Sequence, residues 1–148
     1  MTGPLKLRQL LIATTNPGKV NEILPILHGV PFELATLVDY PRLAAPEETG
    51  RTFDENARLK AAYYAQATGQ LTVAEDSGLE IDALDGRPGV ESARFGGASS
   101  TYPEKFSLIY RELRAAGTND SPARFVCAVA LSDGQRLQIG RASCRERV

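Results

Sequence analysis

Two hydrophobic periods alternate along the chain and predict strands that alternate with helices. Short apolar runs and stretches of period two predict strands at 9–13, 32–36, 71–75, 79–83, 124–131 and 136–139. Apolar positions that recur every three to four residues predict helices at 19–27, 53–68 and 103–117. The last two strands read as a hairpin, whereas helices separate most of the others. The fold class is therefore α/β, with a mixed central β-sheet flanked by helices.

Local signals place the ends of two helices. Thr52 and Glu55 have the spacing of a capping box, and Gly69 suits the position just after a helix. The apolar face of this helix is formed by Phe53, Ala57, Ala61 and Tyr64. Pro25 lies inside the preceding helix and predicts a kink or an early end there.

Composition excludes several classes of protein. The 148 residues make one domain, and 17 Lys and Arg against 18 Asp and Glu give no basic surface for nucleic acid. No apolar run reaches the length of a membrane span, and the N-terminus lacks the apolar stretch of a signal peptide. The two cysteines, Cys127 and Cys144, fit a reducing compartment. We therefore expect a cytoplasmic protein with no nucleic acid or membrane partner.

The first strand runs into a polar turn that contains glycine and precedes a helix. This layout gathers backbone N–H groups and the positive end of the helix dipole around an anion. Thr14, Thr15 and Asn16 add side-chain donors and Lys19 adds a full positive charge, whereas Pro17 and Gly18 shape the turn. The spacing is not that of a Walker A loop. An ordinary capped strand–helix turn is the alternative interpretation.

Two further segments carry candidate chemistry. Glu75 and Asp76 end a short apolar strand, and we expect Ser77 with the following glycine to open a tight turn there. Carboxylates in that place suit a metal or phosphate site. An acidic turn with no binding role is the alternative interpretation. On the second helix, Asn56 and Lys60 are four residues apart and share a face. They could contact a ligand together, or belong to a solvated amphipathic helix.

Three motifs together resemble the inosine triphosphate pyrophosphatase family, also called the dITP/XTP pyrophosphatases. They read ATTNPGKVNE, EETGRTFDENARLKA and EDSGLEIDALDGRPGVESAR, and they occur in the order found in that family. The resemblance covers residues from about 10 to about 137. One departure is Glu75, where many bacterial members have aspartate. An acid is retained at this position.

The resemblance implies an ITPase-like fold and a hydrolase of nucleotide metabolism. Its expected reaction converts dITP, ITP or XTP to the monophosphate and pyrophosphate with Mg²⁺, in a protein that is a homodimer at full length. It implies a catalytic role for Asp76, as proton acceptor or metal ligand, and Glu47 as a second metal ligand. The residues expected to bind phosphate or substrate are Thr14, Thr15, Asn16, Pro17, Gly18, Lys19, Lys60 and Ser77. Weaker candidates are Glu75, Asn56 and Arg94, of which Arg94 also suits a structural ion pair.

Glu75 and Asp76 are adjacent, so in an extended strand their side chains face opposite sides. Both can reach one metal only if the strand bends at the turn. We expect Asp76 to be the residue that faces the site.

The end of the chain differs from the rest. Residues 139–148 have no periodicity and a sudden basic bias, and they resemble one reading frame of a sequencing adapter. We therefore expect an ITPase-like domain at 1–138, incomplete at its C-terminus, followed by a non-native tail. Family members continue with Gly-Tyr-Asp-Pro and Ser-His-Arg segments that hold the nucleobase, so the fragment is expected to have little activity. A divergent natural tail is the alternative.

Two other functions fit part of the sequence. The septum-associated nucleotide pyrophosphatases share the architecture, but their phosphate loop opens with a Ser-x-S-P-R pattern that residues 16–19 do not match. A nucleotide-binding module without turnover is the non-enzymatic alternative.

Overall fold

A computed structural model describes residues 8–148 of the chain. This part contains six strands, β1 (Gln9–Ile12), β2 (Glu33–Thr36), β3 (Leu71–Ile81), β4 (Arg87–Pro88), β5 (Pro122–Ser132) and β6 (Leu137–Arg147). The α-helices here are α1 (Pro17–Ile26), α2 (Phe53–Thr68) and α3 (Tyr102–Ala115). The strands form one sheet in the order β2-β1-β3-β5-β6, and β4 pairs with β3.

The sheet is mixed, as predicted. β1 lies parallel to both β2 and β3 because α1 and α2 carry the chain back across the sheet between them. β5 lies antiparallel to β3 and to β6, and a short turn joins β5 to β6 as a hairpin. The predicted α/β fold with a mixed central sheet flanked by helices is confirmed.

Capping fixes the ends of α2. The Thr52 hydroxyl accepts a hydrogen bond from the Glu55 N–H at 3.1 Å, which satisfies one of the free amides of the first turn. At the other end, Gly69 adopts a left-handed conformation with φ of 69°. The helix spans the predicted residues without any shift.

Helix α1 begins two residues earlier than predicted and ends early. The Asn16 side chain caps the helix by accepting a hydrogen bond from the Gly18 N–H at 2.9 Å, which places Pro17 at the first helical position. At the C-terminal end, Pro25 is followed by only one more helical residue, Ile26. The early end that Pro25 predicts is therefore confirmed.

The two longer helices pack on opposite faces of the sheet. Side chains alternate between faces along a strand, and Ala74, Val126 and Ala128 belong to the core that includes the apolar side chains of α2. Leu79 and Ile81, of opposite parity, belong to the core that includes the buried side chains of α3. Among residues 8–148, no helix combines the length and apolar character needed to cross a membrane.

Strand β3 corrects one sequence prediction. The tight turn expected at Ser77 and Gly78 is absent, and both residues pair with β5 inside a continuous strand of 11 residues. Gly78 has a packing role instead, since a Cβ atom there would lie 2.7 Å from the Gly89 carbonyl oxygen and 2.8 Å from the Ser92 Cβ. The glycine lets the segment after β4 approach the strand.

Strand β6 is longer than predicted. Its expected end at residue 139 is wrong, because pairing with β5 continues to Arg147, which lies opposite Pro122. The long β5 offers backbone partners along its whole length, so pairing needs no hydrophobic pattern in β6, whose residues beyond 139 are exposed. The non-native origin of residues 139–148 and the domain boundary at 138 stay predictions.

Candidate functional site

A polar cleft of about 200 Å³ lies where β3 runs past the end of β1. β1 pairs with β3 only as far as Ile12 opposite Val73, so the next residues of β3 border a gap in the sheet. The start of α1, the loop before α2 and the segment after β4 surround this gap. Ligands of open α/β sheets bind at such strand ends.

The cleft gathers residues from all three sequence motifs. The predicted site residues that line it are Thr14, Thr15, Asn16, Lys19, Lys60, Glu75, Asp76, Ser77 and Arg94. Four other candidates do not line it, namely Pro17, Gly18, Glu47 and Asn56. Pro17 and Gly18 form the first turn of α1 beside the cleft, and Glu47 is exposed.

One lysine on α1 is paired with β3. Lys19 Nζ lies 2.6 Å from Glu75 Oε1 and donates a second hydrogen bond to Ser77 Oγ at 3.1 Å. Glu75 and Ser77 are two residues apart, so they share one face of the strand and both point at this ammonium group. Lys19 is about one-third exposed and therefore remains accessible to a ligand in the cleft.

The second lysine, on α2, bridges two other carboxylates. Lys60 Nζ lies 3.6 Å from Asp76 Oδ1 and 3.4 Å from Glu48 Oε2. Burial raises the pKa of Asp76 above its ordinary value, and the nearby Lys60 ammonium only partly offsets this effect. The Asp76 carboxylate is thus held in a place where its charge is poorly solvated.

Glu75 and Asp76 lie on opposite faces of β3, as their adjacency predicts. Glu75 contacts Lys19 of α1, whereas Asp76 contacts Lys60 of α2. Both still line the cleft because the cleft wraps around the uncovered edge of the strand. No bend in the strand is needed to bring the two carboxylates to the same opening.

Two residues of the cleft were missed by sequence reasoning. Glu48 lines the cleft, whereas its neighbour Glu47 was selected from the resemblance. Two adjacent glutamates in an irregular loop carry no periodicity that could tell which one turns inward. Tyr64 was assigned to the apolar face of α2 and is indeed buried, yet it also lines the cleft. Burial raises the pKa of its hydroxyl.

Arg94 forms the ion pair considered for it and also lines the cleft. Its guanidinium pairs with the Glu91 carboxylate at 3.2 Å, which is an exposed contact within one short segment. The same residue lines the cleft opposite the strand that carries Asp76. An exposed ion pair of this kind is worth little, so a bound anion can compete for the arginine.

A larger, mainly apolar cavity adjoins the polar cleft. It has a volume of about 500 Å³ and shares Asn16, Lys19 and Ser77 with the cleft. Its other walls include Phe95 and Phe106, from the segment after β4 and from α3. A ligand with a charged end and an uncharged, flat end fits this pair of adjoining spaces.

The cleft fits a hard divalent cation that arrives with phosphate. Within residues 8–148, no group of three or more His, Cys, Asp or Glu side chains is arranged to hold a metal ion alone. Mg²⁺ is commonly held by one or two carboxylates together with substrate phosphates and water. The carboxylates of Asp76 and Glu48, both beside Lys60, match that donor set.

The raised pKa of Asp76 predicts a pH-dependent gain in stability when its charge is removed. Because the pKa is higher in the folded than in the unfolded chain, ionised Asp76 disfavours folding at neutral pH. Protonation of Asp76 therefore stabilises the folded chain. This stabilisation is complete below the pKa of the unfolded chain and is lost as pH rises through the higher pKa of the folded chain. We expect Asp76→Asn to have the higher Tm at pH 7 in EDTA.

The measurement is thermal unfolding of both proteins between pH 4 and pH 8 with no divalent cation. The Tm difference should shrink as the pH falls, and Asp82→Asn, at an exposed aspartate outside the cleft, should show no such trend. A Tm for Asp76→Asn below that of the unsubstituted chain at pH 7 would contradict the predicted sign.

Comparisons with known proteins identify relatives of this chain. The sequence model of the Ham1 family matches residues 10–147. The dITP/XTP pyrophosphatase of Exiguobacterium sp. strain AT1b is 48% identical over 133 residues, which cover 88% of this chain and 67% of that protein. The dITP/XTP pyrophosphatase of Geobacter sulfurreducens is 44% identical over 123 residues, 83% of this chain and 62% of that protein. The chain thus spans about two thirds of the length of these relatives.

Solved structures show the same fold. The HAM1 protein from Coxiella burnetii is 32% identical and superposes with a TM-score of 0.86 over 94% of this chain and 72% of that one. The nucleoside-triphosphatase, or dITP/XTP pyrophosphatase, from Mycobacterium abscessus is 34% identical, with a TM-score of 0.80 over 93% of this chain and 72% of that one.

Proposed function

The chain belongs to the Ham1 family, and on that premise we propose that it hydrolyses non-standard purine nucleoside triphosphates to the monophosphate and pyrophosphate. Substrates of this class are dITP, ITP and XTP. The observation that carries the proposal is the cleft in which two lysines, Lys19 and Lys60, face the carboxylates of Glu75 and Asp76. Cations and carboxylates at one opening suit a triphosphate that arrives with a metal ion.

The phosphate chain would bind along the Thr14–Lys19 turn. This turn precedes α1, so it lies at the positive end of the helix dipole. Lys19 would leave Glu75 for a phosphate oxygen, and Lys60 would supply a second cation from the opposite side. The uncharged part of the nucleotide then has the adjoining cavity of about 500 Å³ available.

Asp76 is the residue closest to the proposed chemistry. Water attacks the α-phosphorus and loses a proton. The bond between the α-phosphorus and the oxygen bridging to the β-phosphorus breaks, and pyrophosphate leaves. Asp76 either accepts that proton or orients the water. When bound, Mg²⁺ would neutralise part of the phosphate charge. The residues that would hold the ion are Asp76 and a glutamate of the loop before α2, either Glu47 or Glu48. A carboxylate bound directly to the ion is a weaker base.

We also propose a cytoplasmic location and a homodimeric full-length protein, both implied by the resemblance. The free thiol of Cys127 supports a reducing compartment. No contact within the described chain bears on the dimer.

The test is an assay of the purified chain with ITP, dITP, XTP and GTP in the presence and absence of Mg²⁺. Because low turnover is predicted, the enzyme is used at high concentration and products are separated by ion exchange. We expect monophosphate and pyrophosphate in equal amounts, and only with Mg²⁺. Release of inorganic phosphate and a nucleoside diphosphate would contradict the proposed bond cleavage.

A nucleotide-binding module without turnover is distinguished by calorimetry on the same samples. Binding of ITP with no pyrophosphate release over hours favours the module. Absence of both binding and release would contradict both functions.

A further inference from the structure

Asn56 is buried in the first turns of α2 and connects the helix to the loop before it. Its side chain is 1% exposed, and its Oδ1 accepts a hydrogen bond from the Gly50 N–H at 2.7 Å. A Cβ atom on residue 50 would lie 2.9 Å from the Asn56 backbone nitrogen, so only glycine permits this approach. The contact fixes the end of the loop that carries Glu48.

The other end of the amide is unsatisfied, and Asn56 lies one helical turn before Lys60, which contacts Asp76. Within residues 8–148, neither Asn56 Nδ2 nor Asp76 Oδ2 has a hydrogen-bond partner, although both atoms are buried. Burial raises the pKa of the Asp76 carboxyl, and the nearby Lys60 ammonium and Asn56 amide only partly offset that rise. A buried donor and a buried acceptor that are left unpaired are each costly, and each calls for an explanation.

We propose that Asn56 is a positioning residue for Asp76, and that its Nδ2 donates to Asp76 Oδ2 when substrate occupies the cleft. The inference rests on the proposed function. With Oδ2 held from behind, Asp76 presents Oδ1, the atom that faces Lys60, towards the cleft. Asn56 does not line the cleft, so the role proposed for it acts through Asp76 rather than through direct contact with the ligand.

The chemistry of an amide explains why asparagine suits this place. An asparagine side chain carries an acceptor and a donor on one planar group, so it can serve Gly50 and Asp76 at once. Aspartate would keep the acceptor for Gly50 but lose the donor, and alanine would lose both. These two substitutions therefore separate the structural link to the loop from the positioning of Asp76.

The first measurement is independent of activity. In ¹H–¹⁵N NMR spectra, we expect the Asn56 side-chain NH₂ to exchange slowly with water and to shift when Asp76 is replaced by alanine. In the unsubstituted chain, addition of Mg²⁺ with pyrophosphate should shift the Asn56 NH₂ signal downfield, as formation of a hydrogen bond does. The exposed Asn119 side chain is the internal control. Fast exchange of the Asn56 NH₂, or no response to Asp76→Ala, would overturn the proposal.

The second measurement is kinetic and uses the unsubstituted chain with Asn56→Asp, Asn56→Ala and Asn119→Asp. For Asn56→Asp we expect kcat to fall about tenfold to a hundredfold, the range seen for partners that orient a metal-site carboxylate. KM should stay within a factor of two or so, because the phosphate-binding residues are untouched. Asn119→Asp should match the unsubstituted chain.

The outcomes separate this inference from the proposed function. If Asn56→Asp keeps full kcat while Asn56→Ala is unstable, Asn56 only anchors the loop and the inference is wrong. If the unsubstituted chain releases no pyrophosphate but the NMR responses appear, the proposed activity fails and the link from Asn56 to Asp76 stands.

Discussion

Replacing Asp76 by asparagine is expected to lower kcat by about a hundredfold or more, the scale of a lost acid–base or electrostatic group. Asparagine keeps the shape of the side chain but removes the charge that a metal ion or a proton requires. The Asp76 carboxylate already borders the cleft beside Lys60, so no other rearrangement is expected. The measurement is the rate of pyrophosphate release from ITP at saturating substrate and Mg²⁺.

Glu75→Gln is the matched comparison, because it removes a neighbouring carboxylate from the other face of the same strand. The loss of kcat in Glu75→Gln should be much smaller, because Glu75 pairs with Lys19 and has no part in the chemistry proposed for Asp76. Equal losses in the two variants would show that the assignment of Asp76 as the reacting carboxylate is wrong.

Lys60→Met should raise the KM for ITP at least about tenfold and should also lower kcat. The substitution keeps the length of the side chain but removes the cation shared by Asp76 and Glu48. Two carboxylates would then face each other and the incoming phosphates without compensation, and removing one partner of a buried pair is costly. Initial rates across a range of ITP concentrations give both constants.

The control for Lys60 is Arg58→Met, which removes a positive charge from an exposed position of the same helix. It should leave KM unchanged, because Arg58 does not line the cleft. An increase in KM as large as that of Lys60→Met would indicate a general effect of charge on binding rather than a contact in the cleft.

The sequence predicted those parts of the fold that depend on local chemistry. The ends of α2 follow from Thr52 and Gly69, whose preferences act within a few residues. The early end of α1 follows from Pro25 in the same way. The site motifs were located by their resemblance to a family, and the structure brings residues of all three motifs to one cleft.

The features that the sequence did not predict depend on contacts between distant segments. Ser77 and Gly78 have the composition of a turn, but pairing with β5 and close packing against Ser92 keep them in a strand. Nothing near Glu48 in the sequence indicates that it, rather than Glu47, turns toward Lys60. The partnership of Asn56 with Gly50 spans a helix start and a loop, and only the folded chain makes it visible.

Because its lysines are paired with carboxylates, the cleft is expected to favour a nucleotide that arrives with a divalent cation. The carboxylates of Glu48, Glu75 and Asp76 pair with Lys19 and Lys60, so both lysines already have partners in the cleft. A bare polyanion must pull each lysine from its partner and leave the carboxylates exposed to repulsion. When a nucleotide brings a divalent cation, its phosphates can pair with the lysines while the cation pairs with the carboxylates. We therefore expect the cleft to bind metal-free triphosphate poorly, whatever its nucleobase.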